Sequence, residues 1–408
     1  MLKYFKYLII GFFSLCFGKV NAQKESVHSI FFTGNTFGRN TEMALFNQWK
    51  NQADMQKNFA VLLAGNTVDA QTGQFSSELL LNEKHPLLIA PGKTEWAGGN
   101  RNGKDFIKQL TDDLPEKYSN PVFFPDEACP GPTEVVLSDN LVVILIDTWW
   151  WVHNYDRRFN KCGIENRGDV LIQIEDAIRR HYAGKHVVVA GHHSLKSYGN
   201  TSGYFSAEQW SMQLPYTFYR KFPGARYDNQ HPDFKSFRSG LLSVLKKYPD
   251  VIYLSAGEAN LQYFQHETTH FVISGSWQNR QYVRKDLPEF GSDEKGFAQL
   301  TFSSEGGCHL SFYNADEVLF RKNLYEKKFS PDKPEAIVAG QFPDSVEAVA
   351  STKYNIPESG YTWMGENYRE VWATPVKVAV FDLGTKKGGL KILKRGGGQQ
   401  TFSLRLED

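Results

Sequence analysis

The chain has 408 residues, 41% of them hydrophobic, and a formal net charge of +1 at pH 7. This length and apolar content allow one large domain or two ordinary ones with an ample core. The charge is nearly neutral and no basic stripe stands out, so we expect no nucleic-acid partner.

The first 22 residues have the three-part pattern of a secretory signal peptide. Two lysines in MLKYFK precede the apolar run YLIIGFFSLCFG, and KVNA then ends in a small residue, which predicts cleavage after Ala22. A transmembrane helix needs about 20 apolar residues, and this run has twelve. No later segment is long and apolar enough, so we predict an exported protein with no transmembrane span of its own.

Three cysteines follow the predicted cleavage site: Cys129, Cys162 and Cys308. In an oxidising compartment we expect one disulfide and one remaining thiol. Cys129 and Cys162 flank a strand that the pattern predicts to be buried, and we favour a bridge between them. Spacing alone leaves the other two pairings open.

Short aliphatic or β-branched runs predict strands, most of which stop in or next to a glycine. In chain order they are SIFFTG, FAVLLAG, PLLIAPG, NLVVILID, HVVVAG and VIYLSAG. The segments between them have helical periodicity: EMALFNQWKNQADMQKNF, GKDFIKQLTDDL, DVLIQIEDAIRRHY and FKSFRSGLLSVLKKY. Strands that are apolar on both faces need cover on both sides, so this alternation predicts a layered α/β domain.

The C-terminal quarter of the chain has a different pattern. FAQLTFSS and CHLSFYNA predict an antiparallel hairpin that closes the domain, and EKKFSPDKPEAIVAG has the charge and proline content of a linker. Beyond it, WMGENYREVWATPVKVAVFDLG and GGLKILKRGGGQQTFSLRLED predict a short β-rich tail. We therefore place a domain over residues 24–325, and a linker and tail over residues 326–408.

The turns after the predicted strands resemble those of the calcineurin-like metallophosphoesterases, especially the purple-acid-phosphatase-like branch. In that family the strand ends are GD, GDNxY, GNHD, GHxP and GHxHNLQ, whereas here they are TGNTFG, AGNTVD, APGKTEW, AGHHSLKSYG and SAGEANLQY. CPGP and DTWWWVH are also similar to family segments. The resemblance extends from about Ser29 to Phe312 and implies a layered β-sandwich flanked by helices.

The resemblance implies two metal ions, which a two-metal hydrolase holds about 3.5–4 Å apart with a bridging carboxylate. In the first two turns the family's ligands are replaced. The first-turn aspartate position is Asn35, the bridging aspartate position is Asn66, and the iron-ligating tyrosine of the purple branch is Asp69.

The later turns are altered as well. The family's asparagine ligand is Lys93, and the neighbouring histidine that assists the leaving group is Thr94. Two histidine ligands of the last turn fall on Gly257 and Ala259, and only His192 keeps its expected identity.

These replacements predict that the metal centre and its catalysis are lost. Neutral amides stand for both aspartates, and an ammonium at Lys93 disfavours any nearby cation. We therefore expect no cofactor, and we hypothesise that Lys93 bonds to the side-chain oxygens of Asn35 and Asn66 in place of the metals. The alternative is a residual phosphomonoester hydrolase with one zinc, iron or manganese ion held by Asp69, His192 and Glu258 or Glu95, although a zinc-type site uses three or four ligands.

Two further interpretations concern histidines and tryptophans. His192 and His193 with Ser197 could suggest nucleophilic catalysis, but that chemistry also needs an oriented base and an oxyanion site. Trp149–Trp151 are expected to fill the boundary between sheet and helices, and Asp147 and His153 to be structural. The alternative for these rings is an exposed stacking platform, to which Trp96 and Trp277 would also contribute.

The tail has a second resemblance. WMGENYREVWATPV and GGGQQTFSLRLED are similar to the junction in bacterial proteins where such a phosphoesterase domain precedes an outer-membrane β-barrel of the surface-antigen type. This implies a periplasmic or outer-membrane-associated protein, with the cell surface as a further location. The implied partner is an outer-membrane β-barrel or the envelope assembly machinery, which would make the chain a binding or assembly module.

Overall fold

The structure is a computed structural model that describes residues 28–38, 42–75, 85–117, 122–125, 128–153, 162–164, 167–212, 228–329 and four strands between residues 368 and 405. The predicted signal peptide and most of the predicted linker lie outside these residues. Of the helices in the described part, none combines the length and the apolar composition that a membrane crossing requires.

Two seven-stranded sheets make up the part of the described chain before residue 330. Their strands are β1 (His28–Thr33), β2 (Phe59–Leu63), β3 (Leu87–Ile89), β4 (Val122–Phe123), β5 (Thr133–Ser138), β6 (Leu141–Leu145), β7 (His186–Ala190), β8 (Ile252–Ser255), β9 (Leu261–His266), β10 (Thr269–Ser274), β11 (Phe290–Ser292), β12 (Phe297–Phe302), β13 (Gly307–Tyr313) and β14 (Val318–Glu326). The first sheet has the order β14-β13-β12-β1-β2-β3-β4, and the second has the order β11-β9-β10-β8-β7-β6-β5. Strands β1 to β4 are parallel to one another, as are β6, β7, β8 and β10.

Five α-helices of the described residues accompany the sheets: α1 (Met43–Asp54), α2 (Gly103–Lys117), α3 (Arg167–Tyr182), α4 (Ala207–Met212) and α5 (Pro232–Leu245). α1 buries Leu45, Trp49 and Ala53, which recur every four residues. The helical pattern predicted through Phe59 ends earlier, at Asp54. Phe59 instead begins β2, where it pairs with Ser29 of β1, so pairing in the sheet overrides the local periodicity.

Alternate residues of the central strands enter two different cores. Ile30 and Phe32 belong to a cluster that combines residues of both sheets. Phe31, between them in sequence, packs instead on Trp49 of α1 with ring centroids 5.3 Å apart. Successive side chains of a strand point to opposite faces, so the layered α/β arrangement predicted from strands apolar on both faces is confirmed.

Two long-range predictions about the chain are also confirmed. β12 and β13 form the expected antiparallel hairpin, with Ala298 opposite Phe312. Cys129 and Cys162 form the favoured disulfide with their Cα atoms 5.5 Å apart, and Cys308 is a buried thiol.

The tail contains strands, as its composition predicts. They are β15 (Tyr368–Thr374), β16 (Lys377–Asp382), β17 (Lys387–Lys394) and β18 (Gly398–Arg405), and they form an antiparallel sheet in chain order. The division of the chain into a domain, a linker and a tail stays a prediction.

Candidate functional site

The turns after β1, β2, β3, β7 and β8 meet at one edge of the two sheets. The carboxyl ends of parallel strands share an edge, and direct hydrogen bonds join these turns. The Asn35 N–H donates to Gly65 O at 2.9 Å, and the Ala256 N–H donates to His192 O at 3.2 Å. The sequence positions predicted to replace the metal ligands are therefore neighbours in space.

Asn35 and Asn66 form a pair that we call the amide clasp. Asn35 Nδ2 donates to Ala256 O at 2.8 Å and to Gly275 O at 2.9 Å, and both of these carbonyls follow strands of the second sheet. Its Oδ1 accepts a bond from Asn66 Nδ2 at 2.8 Å. Both asparagines have a positive φ, 54° and 55°, a conformation that asparagine adopts more readily than most residues. The clasp therefore links the first sheet to the second.

Glu95 holds the turns after β2 and β3 together. Its side chain is fully buried. Oε2 accepts the N–H groups of Asn66 at 3.0 Å and Gly92 at 2.8 Å. Oε1 accepts both the N–H and the hydroxyl of Thr67 at 2.7 Å. Hydrogen bonds to a carboxylate are about twice as strong as neutral ones, so Glu95 is an anchor of these turns. The sequence suggests Glu95 only as a possible metal ligand, because no motif shows which way its side chain points.

His192 is buried, and a single hydrogen bond orients it. Its Nδ1 lies 2.8 Å from the carbonyl oxygen of Ala64, so Nδ1 carries the proton and Nε2 carries the lone pair. Burial lowers the pKa of the ring, which keeps it neutral at pH 7. The ring fits against Gly65, which has a φ of 81°, and a Cβ there would lie 2.5 Å from Nδ1.

Glu258 and Ser197 belong to a separate network. Glu258 is fully buried, and its Oε1 accepts the hydroxyl of Ser197 at 2.6 Å and the N–H of Thr201 at 3.0 Å. Burial raises the pKa of this carboxyl. His193 Nδ1, for its part, bonds to Thr148 Oγ1 at 2.9 Å. The Ser197 hydroxyl also lies 2.8 Å from Ser202 Oγ. Its hydrogen bonds to side chains of the described residues are made to Glu258 and Ser202 and not to His192 or His193, so the geometry does not support the nucleophilic interpretation.

Asp69 closes its own turn. Its Oδ1 accepts the N–H groups of Gln71 at 2.9 Å and Thr72 at 2.8 Å. These bonds lower the pKa of the carboxyl. Asp69, His192 and Glu258 thus have different hydrogen-bond partners in different loops.

Gly257 and Ala259 have no side-chain donors, and the space at Gly257 is taken. A Cβ at Gly257 would lie 2.9 Å from the carbonyl oxygen of His192, and real Cβ atoms essentially never come that close to another atom. The backbone of Ala259 bonds through its N–H and its carbonyl to Gln281. The last turn has therefore closed against the turn after β7.

Changing Gly257 to alanine is expected to lower the free energy of unfolding by about 1–3 kcal/mol, because backbone must move to admit the methyl group. Urea denaturation followed by circular dichroism measures the change. Gly184→Ala is the matched control, since a Cβ there meets nothing within 4 Å, and its stability should change by less than about 0.5 kcal/mol. Equal effects of the two variants would mean that the turn at Gly257 has room for a side chain.

Every tryptophan considered for a stacking platform is buried. The exposed fractions of Trp96, Trp277 and Trp149–Trp151 are between 0 and 2%. Trp96 Nε1 donates to Asp147 Oδ2 at 2.8 Å, and burial raises the pKa of Asp147 to about 7. The platform interpretation is wrong, and core packing, with Asp147 as a structural acceptor, is confirmed.

Lys93 and Thr94 begin the 3₁₀ turn that ends at Gly99. The Thr94 N–H donates to Asn66 Oδ1 at 3.2 Å. The side-chain oxygens of Asn35 and Asn66 thus each have an amide donor already. An amide oxygen has two lone pairs, so the proposed bond from Lys93 stays a prediction.

The residues at these turns do not fit a two-metal centre. The side-chain amides of Asn35 and Asn66 donate their N–H groups to other atoms of the protein. Gly257 and Ala259 have no side-chain atom that could bind a metal, and the side chain of Lys93 carries a positive charge. Within the described residues, no group of three or more His, Cys, Asp or Glu side chains is placed to hold a metal ion.

Comparison with known proteins places the fold. No family model and no curated protein matches the chain. A purple acid phosphatase from yellow lupin seeds matches 74% of this chain with 13% identity and a TM-score of 0.50, over 54% of its own length. GAP50, described as the anchor in the inner membrane complex of Plasmodium, matches 74% with 18% identity and a TM-score of 0.48, over 90% of its length. A putative 5'-nucleotidase from Staphylococcus aureus matches 75% with 13% identity and a TM-score of 0.38, over 55% of its length.

The chain therefore spans only about half the length of the lupin and staphylococcal proteins. At these identities the likeness concerns the fold alone. The layered metallophosphoesterase-type fold that the turn motifs imply is confirmed by the lupin structure together with the two sheets and their flanking helices.

Proposed function

We propose that this chain, built on the metallophosphoesterase fold, is catalytically degenerate and acts as a binding or assembly module in the bacterial cell envelope. The observation that carries the proposal is the hydrogen bonding of Asn35. Both of its amide hydrogens go to backbone carbonyls, and its oxygen accepts a bond from Asn66. The position of the family's first metal ligand thus serves to join the two sheets.

Charge supports the same conclusion. Two divalent cations bring four positive charges into a small volume, and a bridging carboxylate offsets part of their repulsion. Here the bridging position is the neutral Asn66, whose side chain bonds to Asn35 and to the Thr94 N–H. The nearby carboxylate of Glu95 is satisfied by protein donors alone.

A residual hydrolase with one zinc, iron or manganese ion is the second candidate. The observation in its favour is the orientation of His192, whose Nδ1 donates to a carbonyl and leaves the Nε2 lone pair available. Metal-binding histidines are commonly oriented in this way. Asp69 and Glu258 would have to supply the other ligands, and both are engaged elsewhere.

Purified protein is expected to contain no stoichiometric metal and to show no turnover of p-nitrophenyl phosphate with added zinc, iron or manganese. Metal analysis and a phosphatase assay measure this, with His192→Ala as the comparison. In the degenerate site Nε2 of His192 binds no metal. Wild type and His192→Ala should therefore have the same metal content and the same lack of turnover. Stoichiometric metal with turnover that His192→Ala abolishes would establish the residual hydrolase instead.

The envelope role rests on the predicted export signal and on the resemblance of the tail to a barrel-proximal junction. We expect a tagged chain to recover an outer-membrane β-barrel protein from detergent-solubilised outer membranes. A chain shortened before residue 368 is the control, because it lacks the strands of the tail. Recovery of no barrel protein, or equal recovery by both chains, would contradict the proposed role of the tail.

A further inference from the structure

A surface cavity beside the second sheet shares no residue with the amide clasp. It has a volume of about 280 Å³ and is lined by α5, the β9–β10 hairpin and the segment after β7. Pockets for organic ligands begin at about 300 Å³. The cavity is slightly below this size, so it has room for a ligand smaller than a typical drug molecule.

Basic groups outnumber acidic ones among the lining residues. Lys196, Lys246 and His266 line the cavity together with one carboxylate, Glu267. Glu267 Oε1 accepts a bond from Lys246 Nζ at 2.9 Å. Glu267 thus bonds directly to Lys246. The ammonium of Lys196 bonds instead to His266.

The bond between Lys196 and His266 fixes the protonation of the His266 ring. Lys196 Nζ lies 2.5 Å from His266 Nε2, and an ammonium can only donate, so Nε2 accepts and the ring is neutral. Partial burial and then the charge of Lys196 lower the pKa of His266. An ammonium has three N–H donors, and His266 accepts one of them.

The charge of a nearby arginine also acts on Lys196. Arg238 precedes the lining residue Ser239 on α5 and is not itself a lining residue. Burial and, to a smaller degree, the charge of Arg238 lower the pKa of Lys196, whereas the charge of Glu267 raises it. Lys196 and Lys246 thus line the cavity with ammonium groups, each of which has three N–H donors.

We propose that this cavity binds a small organic anion, with its phosphate or carboxylate group on the ammonium groups of Lys196 and Lys246. Bonds between ammonium groups and such oxyanions are among the stronger hydrogen bonds in proteins. The hydroxyls of Ser239 and Thr269 also line the cavity, and Phe271 contributes an apolar wall for the rest of the ligand.

A pH titration of His266 by NMR, in protein labelled with ¹³C-histidine, tests this proposal. The charged groups that act on the ring are Lys196, Glu267 and Lys246. Sodium sulfate, which has the tetrahedral shape of a phosphate group, and sodium acetate are compared with sodium chloride at equal ionic strength. A bound anion favours the imidazolium, so sulfate or acetate should raise the measured pKa of His266 by about one pH unit.

His266→Gln assigns the signal, and substitutions of lysine test the site. Lys196→Gln should raise the pKa of His266 in chloride and remove most of the increase caused by sulfate or acetate. Lys246→Gln should also reduce that increase. Lys50→Gln, on the exposed face of α1, should leave both values unchanged. The larger increase identifies the preferred anion, whereas equal pKa values in all three salts, or a full increase in Lys196→Gln, would overturn the proposal.

Discussion

Changing Asn35 to aspartate is expected to lower the free energy of unfolding by about 3 kcal/mol at pH 7. Asn35 Nδ2 donates to the carbonyl oxygens of Ala256 and Gly275 at 2.8 and 2.9 Å. An ionised aspartate has nearly the same shape but can only accept, so two favourable bonds become contacts between negatively charged oxygens. The substitution restores the residue of the phosphoesterase motif and yet should destabilise the protein.

Urea denaturation of both proteins at pH 7 and pH 4 measures this effect. The neighbouring carbonyls favour the protonated acid, so the folded-state pKa of the new carboxyl is raised above its unfolded value of about 3.9. A raised pKa gives stability that is present below the unfolded value and is lost as the pH rises through the folded value. The deficit of the variant should therefore shrink toward pH 4.

Asn35→Gly is the control for the amide clasp. Glycine accepts the positive φ of this position and removes the side-chain bonds without adding a charge, so its deficit should not depend on pH in this range. An Asn35→Asp protein as stable as wild type at pH 7 would mean that the amide does not donate to the two carbonyls. Stoichiometric metal in that variant would contradict the proposal that the site has lost its metal-binding capacity.

Changing Glu95 to glutamine is expected to lower the free energy of unfolding by about 4 kcal/mol. Oε2 of Glu95 accepts two donors, the N–H groups of Asn66 and Gly92, and Oε1 accepts three, the N–H and hydroxyl of Thr67 and the hydroxyl of Thr94. In either orientation, the amide nitrogen of glutamine would face at least two N–H or O–H groups. The side chain is fully buried, so water cannot relieve this conflict.

Thermal and urea denaturation measure the effect of Glu95→Gln. Glu42→Gln applies the same chemical change to a carboxylate that is exposed and lies 3.6 Å from Lys295. Exposed ion pairs contribute about 0–1 kcal/mol, so this control should stay close to wild type. If the two variants lost equal stability, the anchoring role of Glu95 would be refuted.

The order of strands and helices was predictable because each element carries its own pattern. FAVLL is apolar at every position and HVVVA at every position after His186, and the structure buries every residue of β2 and β7. The end of α1 was not predictable from periodicity, because Phe59 is drawn into β2 by pairing with β1. Local pattern indicates an element, and long-range pairing sets its boundary.

The sequence indicated which residues occupy the family's ligand positions, but not the hydrogen-bond partners of those residues. The turn motifs indicated that Asn35 and Asn66 replace two aspartates, but they did not indicate that the two amides bond to each other. Glu95 was considered only as a ligand, and its role as an anchor depends on backbone N–H groups that carry no sequence signal. No sequence motif indicates the cavity, because residues that line it, such as Lys196 and His266, are 70 positions apart.

The loss of charge at the strand-end turns could be read from residue types alone, because charge and donor capacity belong to each side chain wherever it lies. The same holds for the strand–helix alternation, which depends on neighbours in sequence. The hydrogen bonds of Asn35 depend on contacts across the fold, because its amide reaches carbonyls 221 and 240 positions away in sequence. Such contacts form only when the two sheets pack together. Their packing places the amide of Asn35 within hydrogen-bond distance of the carbonyl oxygens of Ala256 and Gly275.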